Sequence, residues 1–422
     1  MRSVTELCER EKIYFRCTTD KEPLTYRFGE DMHFHFELCD AEGERVGCPK
    51  ISCLTRADGR EETRAEFEGR TGELDVCISP AVAGFVYLCV NACDGEGKPY
   101  PFAEACNAGA GADVEMVKKA SPEPSDFDEF WRDTVSVLYD VEPRILRFEK
   151  LDPVKWGFEP EKYTTYDVRI ESVDGEYASG FLSIPYDAAR GECALRLDFH
   201  GYGFGNAYGK YVPKTIVFDV IAHSMPAAAS KEEIAEAQSK PPFKGYGFWD
   251  GRNNDRDTVY FKNMILRDLQ AVRFLTSYFG SEEGGMLWDG KTIGTRGGSQ
   301  GAFQAMAVGA LLRYFDLEPS FLIFNMPWLC DVGGEKFSSR YRSRFFPEYT
   351  EALLYYDTVS FASRITCEAE GGETGLGDTC AIPSATMSCY NALRGKKSIR
   401  YFQNGVHGGH GKFFTEYKLE KK

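Results

Sequence analysis

Apolar and polar side chains alternate along much of the first hundred residues, which is the period of half-buried β-strands. In residues 31–40, for example, Met32 and Phe34 fall on one face of the predicted strand and His33 falls on the other. Similar strands are predicted over residues 12–17, 73–79 and 85–92. Several short strands at this spacing predict an all-β, β-sandwich-like accessory domain over residues 1–110.

The pattern changes in the second part of the chain. Residues 111–124 are mostly small and polar, as in an interdomain linker, and Ser125 is predicted to cap a helix that contains Phe127 and Trp131. Strands are then predicted over residues 181–185, 193–199, 292–295, 321–325 and 398–402, and helices over 263–278, 302–315 and 384–393. This alternation predicts that residues 125–422 form an α/β domain, in which helices cover both faces of a mostly parallel sheet.

Composition narrows the class of protein. The chain has 422 residues, of which 43% are hydrophobic and 27% are charged, as in a globular protein with a large core. Its formal charge of −15 disfavours nucleic acid and anionic membranes as partners. Neither a signal-peptide pattern nor an apolar run of about 18 residues is present, so we expect a cytoplasmic protein without a membrane span.

In that compartment the 14 cysteines are expected to be free thiols. The sequence contains no CxxC pair and no histidine at a matching zinc interval. We therefore expect no metal and no cofactor.

The sharpest chemical signal is Gly-Gly-Ser-Gln-Gly at residues 297–301. A strand is predicted directly before it and a helix directly after it, which is the context of a G-x-S-x-G nucleophile elbow. The glycines allow a sharp turn, and the helix N-terminus places amide groups nearby. The motif predicts Ser299 as a nucleophile, and the alternative is an ordinary serine in a glycine-rich turn.

A serine nucleophile needs a general base, and the chain has six histidines. In the order typical of this elbow the base follows the serine, which leaves His407 and His410. His407 is favoured because it is nearer the end of the last predicted strand. His200 is interpreted as a residue that braces its loop, and His33 and His35 as surface residues.

The acid is expected between the serine and the histidine, at the end of another strand. Asp378 has this character, because a glycine precedes it and a proline and a helical stretch follow it. Asp331 and Asp357 are competitors, and spacing alone does not separate the three.

An oxyanion hole needs two convergent amide groups. The sequence His-Gly-Tyr-Gly follows the strand predicted over residues 193–199 and exposes the amide of Tyr202. This amide is expected to pair with that of Gln300.

With these motifs in order, the chain from about residue 126 onward resembles the acetyl xylan esterase and cephalosporin C deacetylase family of α/β-hydrolases. The matching motifs are HGYG at 200–203, GGSQG at 297–301, MPWLCD at 326–331, YYDTVSFASRI at 355–365 and GLGDTCAIPSAT at 375–386. The resemblance implies a three-layer α/β-hydrolase sandwich after the β domain.

The resemblance also implies a role for each candidate residue. Ser299 would be the nucleophile, Asp378 the acid and His407 the base, and the amides of Tyr202 and Gln300 would form the oxyanion hole. Family members remove acetyl groups from short xylo-oligosaccharides and related sugars, through an acyl-enzyme. A cytoplasmic homo-oligomer is implied as well.

The sequence departs from the family pattern near the predicted site. The family has Arg-Gly-Gln after the second hydrolase strand, where this chain has residues 219–223, so a structural brace is missing or replaced. Gly408 follows His407 where the family usually has Glu. Residues 223–244 are rich in Ala, Lys and Pro and are predicted to run over the surface as an excursion or lid.

Phe248, Trp249 and Trp328 are candidate walls for a sugar ring, because flat apolar faces suit the C–H surfaces of carbohydrates. The alternative is that these aromatic residues belong to the core. The expected substrate is a small acetylated carbohydrate. Two other functions stay open: a hydrolase of the same fold with another acyl donor, and a glycan-binding protein whose hydrolase domain is inactive.

Overall fold

The computed structural model describes residues 2–4, 12–205, 207–248 and 251–421. The described residues of the first part of the chain are built mainly from strands, which are β1 (Arg2–Ser3), β2 (Tyr14–Thr19), β3 (Met32–Cys39), β4 (Val46–Gly47), β5 (Lys50–Ala57), β6 (Thr63–Glu68), β7 (Glu73–Ile78), β8 (Gly84–Cys93) and β9 (Cys106–Ala112). Strands β2, β3 and β7 form one antiparallel sheet, and β6, β5, β8 and β9 form another in that order. Residues 12–112 are called the N-terminal β region below.

The two sheets of the N-terminal β region share one apolar core. Phe34 and Phe36 from the first sheet and Ile51 and Val90 from the second belong to the same buried cluster. These side chains occupy alternate positions of their strands, so the period of two in the sequence is the period of the core face.

A ten-stranded sheet dominates the rest of the described chain. Its strands are β10 (Ile145–Lys150), β11 (Tyr163–Glu171), β12 (Tyr177–Pro185), β13 (Cys193–Phe199), β14 (Thr215–Val220), β15 (Trp288–Gly298), β16 (Phe321–Asn325), β17 (Glu368–Gly375), β18 (Lys397–Phe402) and β21 (Glu416–Lys421), and β19 (Gly405–Val406) and β20 (Gly409–His410) form a separate hairpin. The central strands β14, β13, β15, β16, β17 and β18 are parallel, and the strands at both ends of the sheet are antiparallel. The carboxyl ends of the parallel strands therefore meet at one edge, where loops can bring side chains together.

Helices pack against this sheet. They are α1 (Phe127–Ser136), α2 (Pro153–Trp156), α3 (Lys231–Gln238), α4 (Tyr260–Phe279), α5 (Gln300–Leu311), α6 (Gly334–Ser338), α7 (Thr358–Ala362) and α8 (Pro383–Ala392). Every residue of α5 is buried, so this helix forms the centre of the layer that it shares with α4 and α7. Trp156 of α2 and Ile234 of α3 pack around Phe181, which belongs to a separate apolar cluster.

The first helix begins one residue later than the sequence predicts. Asp126, not Ser125, occupies the N-cap position of α1, and its side chain makes no capping hydrogen bond. The prediction that Ser125 caps the helix is therefore wrong. The Asp126 carboxylate instead accepts hydrogen bonds from the Tyr355 hydroxyl at 2.6 Å and from Arg256 at 2.5 Å, which draws it away from the helix end.

The segment that resembles a linker lies along the second part of the protein. Strand β9 extends to Ala112, and the Asn391 side chain then donates to the carbonyl oxygens of Val114 and Val117 at 2.8 and 2.9 Å. Further on, the amide of Ser121 donates to Asp331 at 2.8 Å. Side chains of the α/β domain thus hold this segment at several points.

None of the described helices combines the length and the apolar character that a membrane crossing requires.

Candidate active site

Ser299 lies at a sharp turn between β15 and α5, with φ 56° and ψ −120°. A Cβ atom on Gly297 would lie 2.1 Å from the carbonyl oxygen of Gly301, and one on Gly301 would lie 2.2 Å from that of Phe199. Both positions therefore require glycine, because neighbouring backbone fills the space of a side chain. The G-x-S-x-G pattern reflects this crowding, which holds the serine in a strained backbone conformation.

Three predicted residues are joined by hydrogen bonds. His407, at the turn of the β19–β20 hairpin, places Nε2 3.0 Å from Oγ of Ser299 and Nδ1 2.8 Å from Oδ2 of Asp378. Asp378 is buried, and its Oδ1 accepts from the amides of Cys380 at 2.7 Å and Ala381 at 3.1 Å. Since a carboxylate only accepts, Nδ1 of His407 is the donor, which leaves Nε2 of the neutral ring free to accept the serine proton.

The surroundings of His407 favour its protonated form. Burial of the ring by itself lowers the pKa, but the hydrogen bond and charge of Asp378, together with Cys380, outweigh burial and raise the pKa of His407 to about 10. The side chain remains 32% exposed on the side of Ser299. The ring is thus held by a buried carboxylate on one side and open to a reactant on the other.

The two competing acids have other partners. Asp331 accepts from the amides of Ala120 and Ser121 at 3.0 and 2.8 Å. Asp357 accepts from the amides of Asp331 and Val332, both at 3.0 Å. Each carboxylate therefore holds loops together, and within the described residues neither is hydrogen-bonded to His407.

The other downstream histidine lies apart from the serine. His410 is exposed, and its ring centroid lies 3.7 Å from that of Phe414. His33 and His35 lie on β3, where His35 contacts Asp75 at 2.8 Å. Among the described histidines, only His407 is hydrogen-bonded to Ser299.

The loop after β13 lies beside the elbow. A Cβ atom on Gly201 would lie 3.9 Å from Cβ of Ser299, so the amide of the next residue, Tyr202, is close to the serine. Gln300 is the first residue of α5, and its amide is one of those that a helix leaves without an intrahelical partner. Neither amide donates a hydrogen bond to another group of the described residues, so both are available to a negatively charged oxygen.

A side-chain relay joins the loop after β13 to the elbow helix, and sequence reasoning did not find it. The amide of Gly203 donates to the Tyr246 hydroxyl at 2.9 Å, and this hydroxyl donates to Oε1 of Gln300 at 2.8 Å. Gln300 also contacts Gln304 at 3.4 Å, which donates to Asp268 at 2.8 Å. Burial raises the pKa of Asp268 to about 8. No motif marks Tyr246, because its role depends on a fold that brings distant loops together.

Two histidines brace the same loop. Nε2 of His200 accepts from the amide of Ala222 at 3.1 Å, and Nε2 of His223 donates to the carbonyl oxygen of Gly203 at 3.1 Å. Nδ1 of His223 lies 2.6 Å from the hydroxyl of Tyr260. Burial lowers the pKa of both rings, which keeps them neutral.

His223 therefore braces this loop from the end of the segment at residues 219–223. Because it is fully buried, the excursion predicted over residues 223–244 does not begin at its first residue. The exposed part of that segment is centred on α3.

Aromatic rings surround the elbow. The ring of Tyr202 is half exposed and lies 5.3 Å from that of Phe248, which in turn lies 5.7 Å from Trp328. Trp328 is only 2% exposed, and its Nε1 donates to the carbonyl oxygen of Phe345 at 3.0 Å. Trp249, the third candidate wall, lies outside the described residues.

The fold and this site define the class of the protein. A mainly parallel central sheet, a serine elbow before a buried helix, and an acid and a histidine on the loops after later strands together characterise an α/β-hydrolase.

A sequence model of the acetyl xylan esterase (AXE1) family matches residues 112–334 and 343–421, which is more than half of the chain. The protein belongs to the acetyl xylan esterase family. The fold class expected from the sequence is confirmed, including the β-rich region that precedes the hydrolase domain. Residues 1–111 and 335–342 lie outside the family match.

Individual relatives agree with this assignment. The acetyl esterase Axe7A of Xylanibacter ruminicola is 25% identical over 306 residues, which is 68% of this chain and 64% of that protein. The chain thus covers less than two thirds of the curated relative's length.

Solved structures show the same fold. An acetyl xylan esterase from Paenibacillus sp. R4 superposes with a TM-score of 0.52 and 22% identity, over 70% of this chain and 93% of that one. Acetyl xylan esterase 1 from Thermoanaerobacterium sp. JW/SL YS485 gives a TM-score of 0.51 and 19% identity, over 70% and 92%.

Proposed function

We propose that the protein is a serine esterase that removes acetyl groups from acetylated sugars or short oligosaccharides of the xylo-oligosaccharide type. The observation that carries the proposal is the hydrogen-bonded row of Ser299, His407 and Asp378 at the elbow. Family membership and the names of the relatives support an acetyl ester as the substrate.

The first half of the proposed reaction acylates the enzyme. Nε2 of His407 takes the proton of Ser299 as Oγ attacks the acetyl carbonyl carbon, and the carbonyl π electrons move onto oxygen. The amides of Tyr202 and Gln300 hold this oxyanion by hydrogen bonds. The bond to the sugar oxygen then breaks, and His407 returns the proton to that oxygen, which releases the deacetylated sugar.

The second half repeats these steps with water. His407 takes a proton from water, the hydroxide oxygen attacks the acetyl carbon, and the bond to Oγ of Ser299 breaks as the serine regains the proton. Acetate leaves. Asp378 stays ionised throughout, because its role is to orient His407 and to stabilise the imidazolium ion.

The surroundings of the serine suit a small, uncharged substrate. The exposed face of Tyr202 and the neighbouring Phe248 offer flat apolar surface to the C–H groups of a sugar ring. Trp328 is almost fully buried, so we assign it to the support of these rings and not to direct contact with a sugar.

The test compares aryl acetate, butyrate and octanoate as substrates for the wild type, Ser299→Ala and Ser277→Ala. Loss of Ser299 should lower kcat on the order of a million-fold. Ser277 lies on α4, where its hydroxyl donates to the carbonyl oxygen of Arg273, so its variant should keep full activity. Acetate should be hydrolysed fastest, and acetylated xylo-oligosaccharides should then release acetate.

Other results would contradict the proposal in distinct ways. Faster turnover of octanoate than of acetate would point to an esterase with another acyl donor. Turnover that survives in Ser299→Ala would remove the serine mechanism, and no turnover by the wild type would favour a binding protein.

A further inference from the structure

The loops that carry Asp378 and His407 follow neighbouring strands of the sheet, β17 and β18. Both loops lie against the N-terminal β region, which the family match does not include apart from its last residue. The contacts are made at several places along each loop, and a further contact comes from residues 335–342, which precede both loops in the chain.

Backbone meets backbone directly before the acid. A Cβ atom on Gly377 would lie 2.3 Å from the carbonyl carbon of Asn107, and one on Gly109 would lie 2.1 Å from the carbonyl oxygen of Leu376. Strand β9 therefore packs against the residues that precede Asp378 with no room for a side chain on either side. Such close packing leaves the acid loop little freedom to move away from the histidine.

A buried hydroxyl holds the other end of the acid loop. Helix α8 begins at Pro383, and the Tyr87 hydroxyl of β8 lies 3.0 Å from Oγ of Ser384 and accepts from its amide at 3.3 Å. This amide is in the first turn of the helix, where it has no intrahelical partner. Tyr87 and Ser384 are both buried, so water does not replace the contact.

The histidine loop is held in a similar way. Nε2 of Gln403 donates to Oγ1 of Thr19 at 2.8 Å, and the amide of Gly109 donates to the carbonyl oxygen of Gln403 at 3.2 Å. Beyond the histidine hairpin, the ring of Phe413 meets that of Tyr14 edge to face, with centroids 6.3 Å apart. The N-terminal β region thus contacts the chain on both sides of His407.

The segment at residues 335–342, which the family match also leaves out, provides a third connection. The amide of Tyr341 donates to the buried carboxylate of Asp58 at 3.2 Å. Next to it, Oγ of Ser343 donates at 2.9 Å to the carbonyl oxygen of Thr379, which follows the acid. Residues 341–343 therefore join the N-terminal β region to Thr379, the residue next to Asp378.

We propose that the N-terminal β region is a positioning part of the catalytic centre, which holds the Asp378 and His407 loops at hydrogen-bonding distance. This inference rests on the proposed function. It assigns the region a task inside the hydrolase site, whereas a separate binding module would need no such contacts. Tyr87 and Thr19 are positioning residues, because they act through Ser384 and Gln403 and do not reach the serine.

The test uses the full chain with two hydroxyl groups removed, Tyr87→Phe with Thr19→Val. Both substitutions keep the shape of the side chain and delete only the groups that contact the two loops. The matched control is Tyr100→Phe with Thr63→Val. These residues belong to the same region, where Tyr100 packs on Phe102 and Thr63 pairs with Thr55, so their contacts among the described residues stay within the region.

Two measurements separate positioning from general stability. Hydrogen exchange followed by mass spectrometry should become faster in peptides that span residues 376–384 and 403–411, while the elbow peptide at 297–303 stays as protected as in the wild type. For aryl acetate, kcat should fall by about tenfold to a hundredfold with KM little changed, since a small misplacement of a catalytic group is costly. The acidic limb of the pH profile should also move to lower pH.

The two readouts distinguish this inference from the proposed function. Unchanged exchange in both loops would overturn the inference, whatever the activity of the wild type. A wild type without serine-dependent turnover would defeat the proposed function, and the exchange result would still decide whether the region holds the loops. If the control pair Tyr100→Phe with Thr63→Val changed exchange and kcat equally, the cause would be loss of overall stability. That result would also overturn the inference.

Discussion

At the scale of single residues, the titration of His407 is the property with the clearest consequence. Its pKa is raised to about 10, and the ring must be neutral to accept the proton of Ser299. We therefore expect kcat/KM for aryl acetate to rise with pH into the alkaline range. Asp378→Asn removes the charge that sustains the shift, so the acidic limb should move towards the ordinary histidine pKa of about 6.5. The same change should lower kcat on the order of ten-thousand-fold.

The same shift has a defined sign for stability. Because the folded protein binds the His407 proton more tightly than the unfolded chain, the stabilisation is complete below a pH of about 6.5 and is lost as pH rises through about 10.

Asp75→Asn is the control for the pH profile of Asp378→Asn, since Asp75 contacts the surface residue His35. An acidic limb that stays in place in Asp378→Asn, or moves equally in the control, would disprove the link between Asp378 and His407.

At the scale of elements, α5 contains two glycines with opposite requirements. A Cβ atom on Gly301 would lie 2.2 Å from the backbone oxygen of Phe199, so Gly301→Ala should lower the free energy of unfolding by about 1–3 kcal/mol. On Gly309 its nearest neighbour would be a side-chain atom of Ile365 at 3.6 Å, an ordinary contact. Gly309→Ala should therefore be neutral or stabilising by up to about 1 kcal/mol.

Urea denaturation of both variants measures this difference within one buried helix. Equal destabilisation would show that the motif glycine has no special packing role. A neutral Gly301→Ala would mean that the elbow can move away from β13, and the crowding argument would fail.

Elements in which apolar and polar positions recur at a regular spacing were predicted well, and elements without such a spacing were missed. The predicted strands over residues 193–199 and 321–325 coincide with β13 and β16. Strand β14 was missed because all its residues are buried, so polar and apolar positions do not alternate along it. The helix predicted over residues 302–315 begins instead at Gln300 and turns into a tighter helix at Leu312, since the elbow and not the periodicity sets its start.

At the scale of the whole molecule, the segment that resembles a linker should resist proteolysis. Lys118 is exposed, but the backbone on either side of it is held by Asn391 and Asp331. Trypsin should therefore cut the native protein after Lys231 or Lys244, around the exposed α3, before it cuts after Lys118.

Asn391→Ala removes the donor to Val114 and Val117 and should speed cleavage after Lys118. Asn263→Ala is the matched control. Asn263 is on α4, and its side chain donates to the carboxylate of Asp174, which is not part of the linker-like segment. Rapid cleavage after Lys118 in the wild type would show that the segment is a free linker after all.

The sequence by itself determined the β-rich first part, the α/β class of the remainder, and Ser299 at an elbow. These features are local, because period, glycine spacing and strand-to-helix context can be recognised within a few residues. It also limited the base to two histidines and the acid to three aspartates, and the family resemblance favoured His407 and Asp378.

Only the tertiary structure decided which distant groups meet. Asp331 and Asp357 follow strands or loops much as Asp378 does, but their carboxylates accept from backbone amides of other loops, whereas Oδ2 of Asp378 accepts from His407. The contacts of Tyr246 and of the N-terminal β region were equally invisible in the sequence. Each joins segments far apart along the chain, and sequence spacing says nothing about such a contact until the packing of the core has fixed where the loops lie.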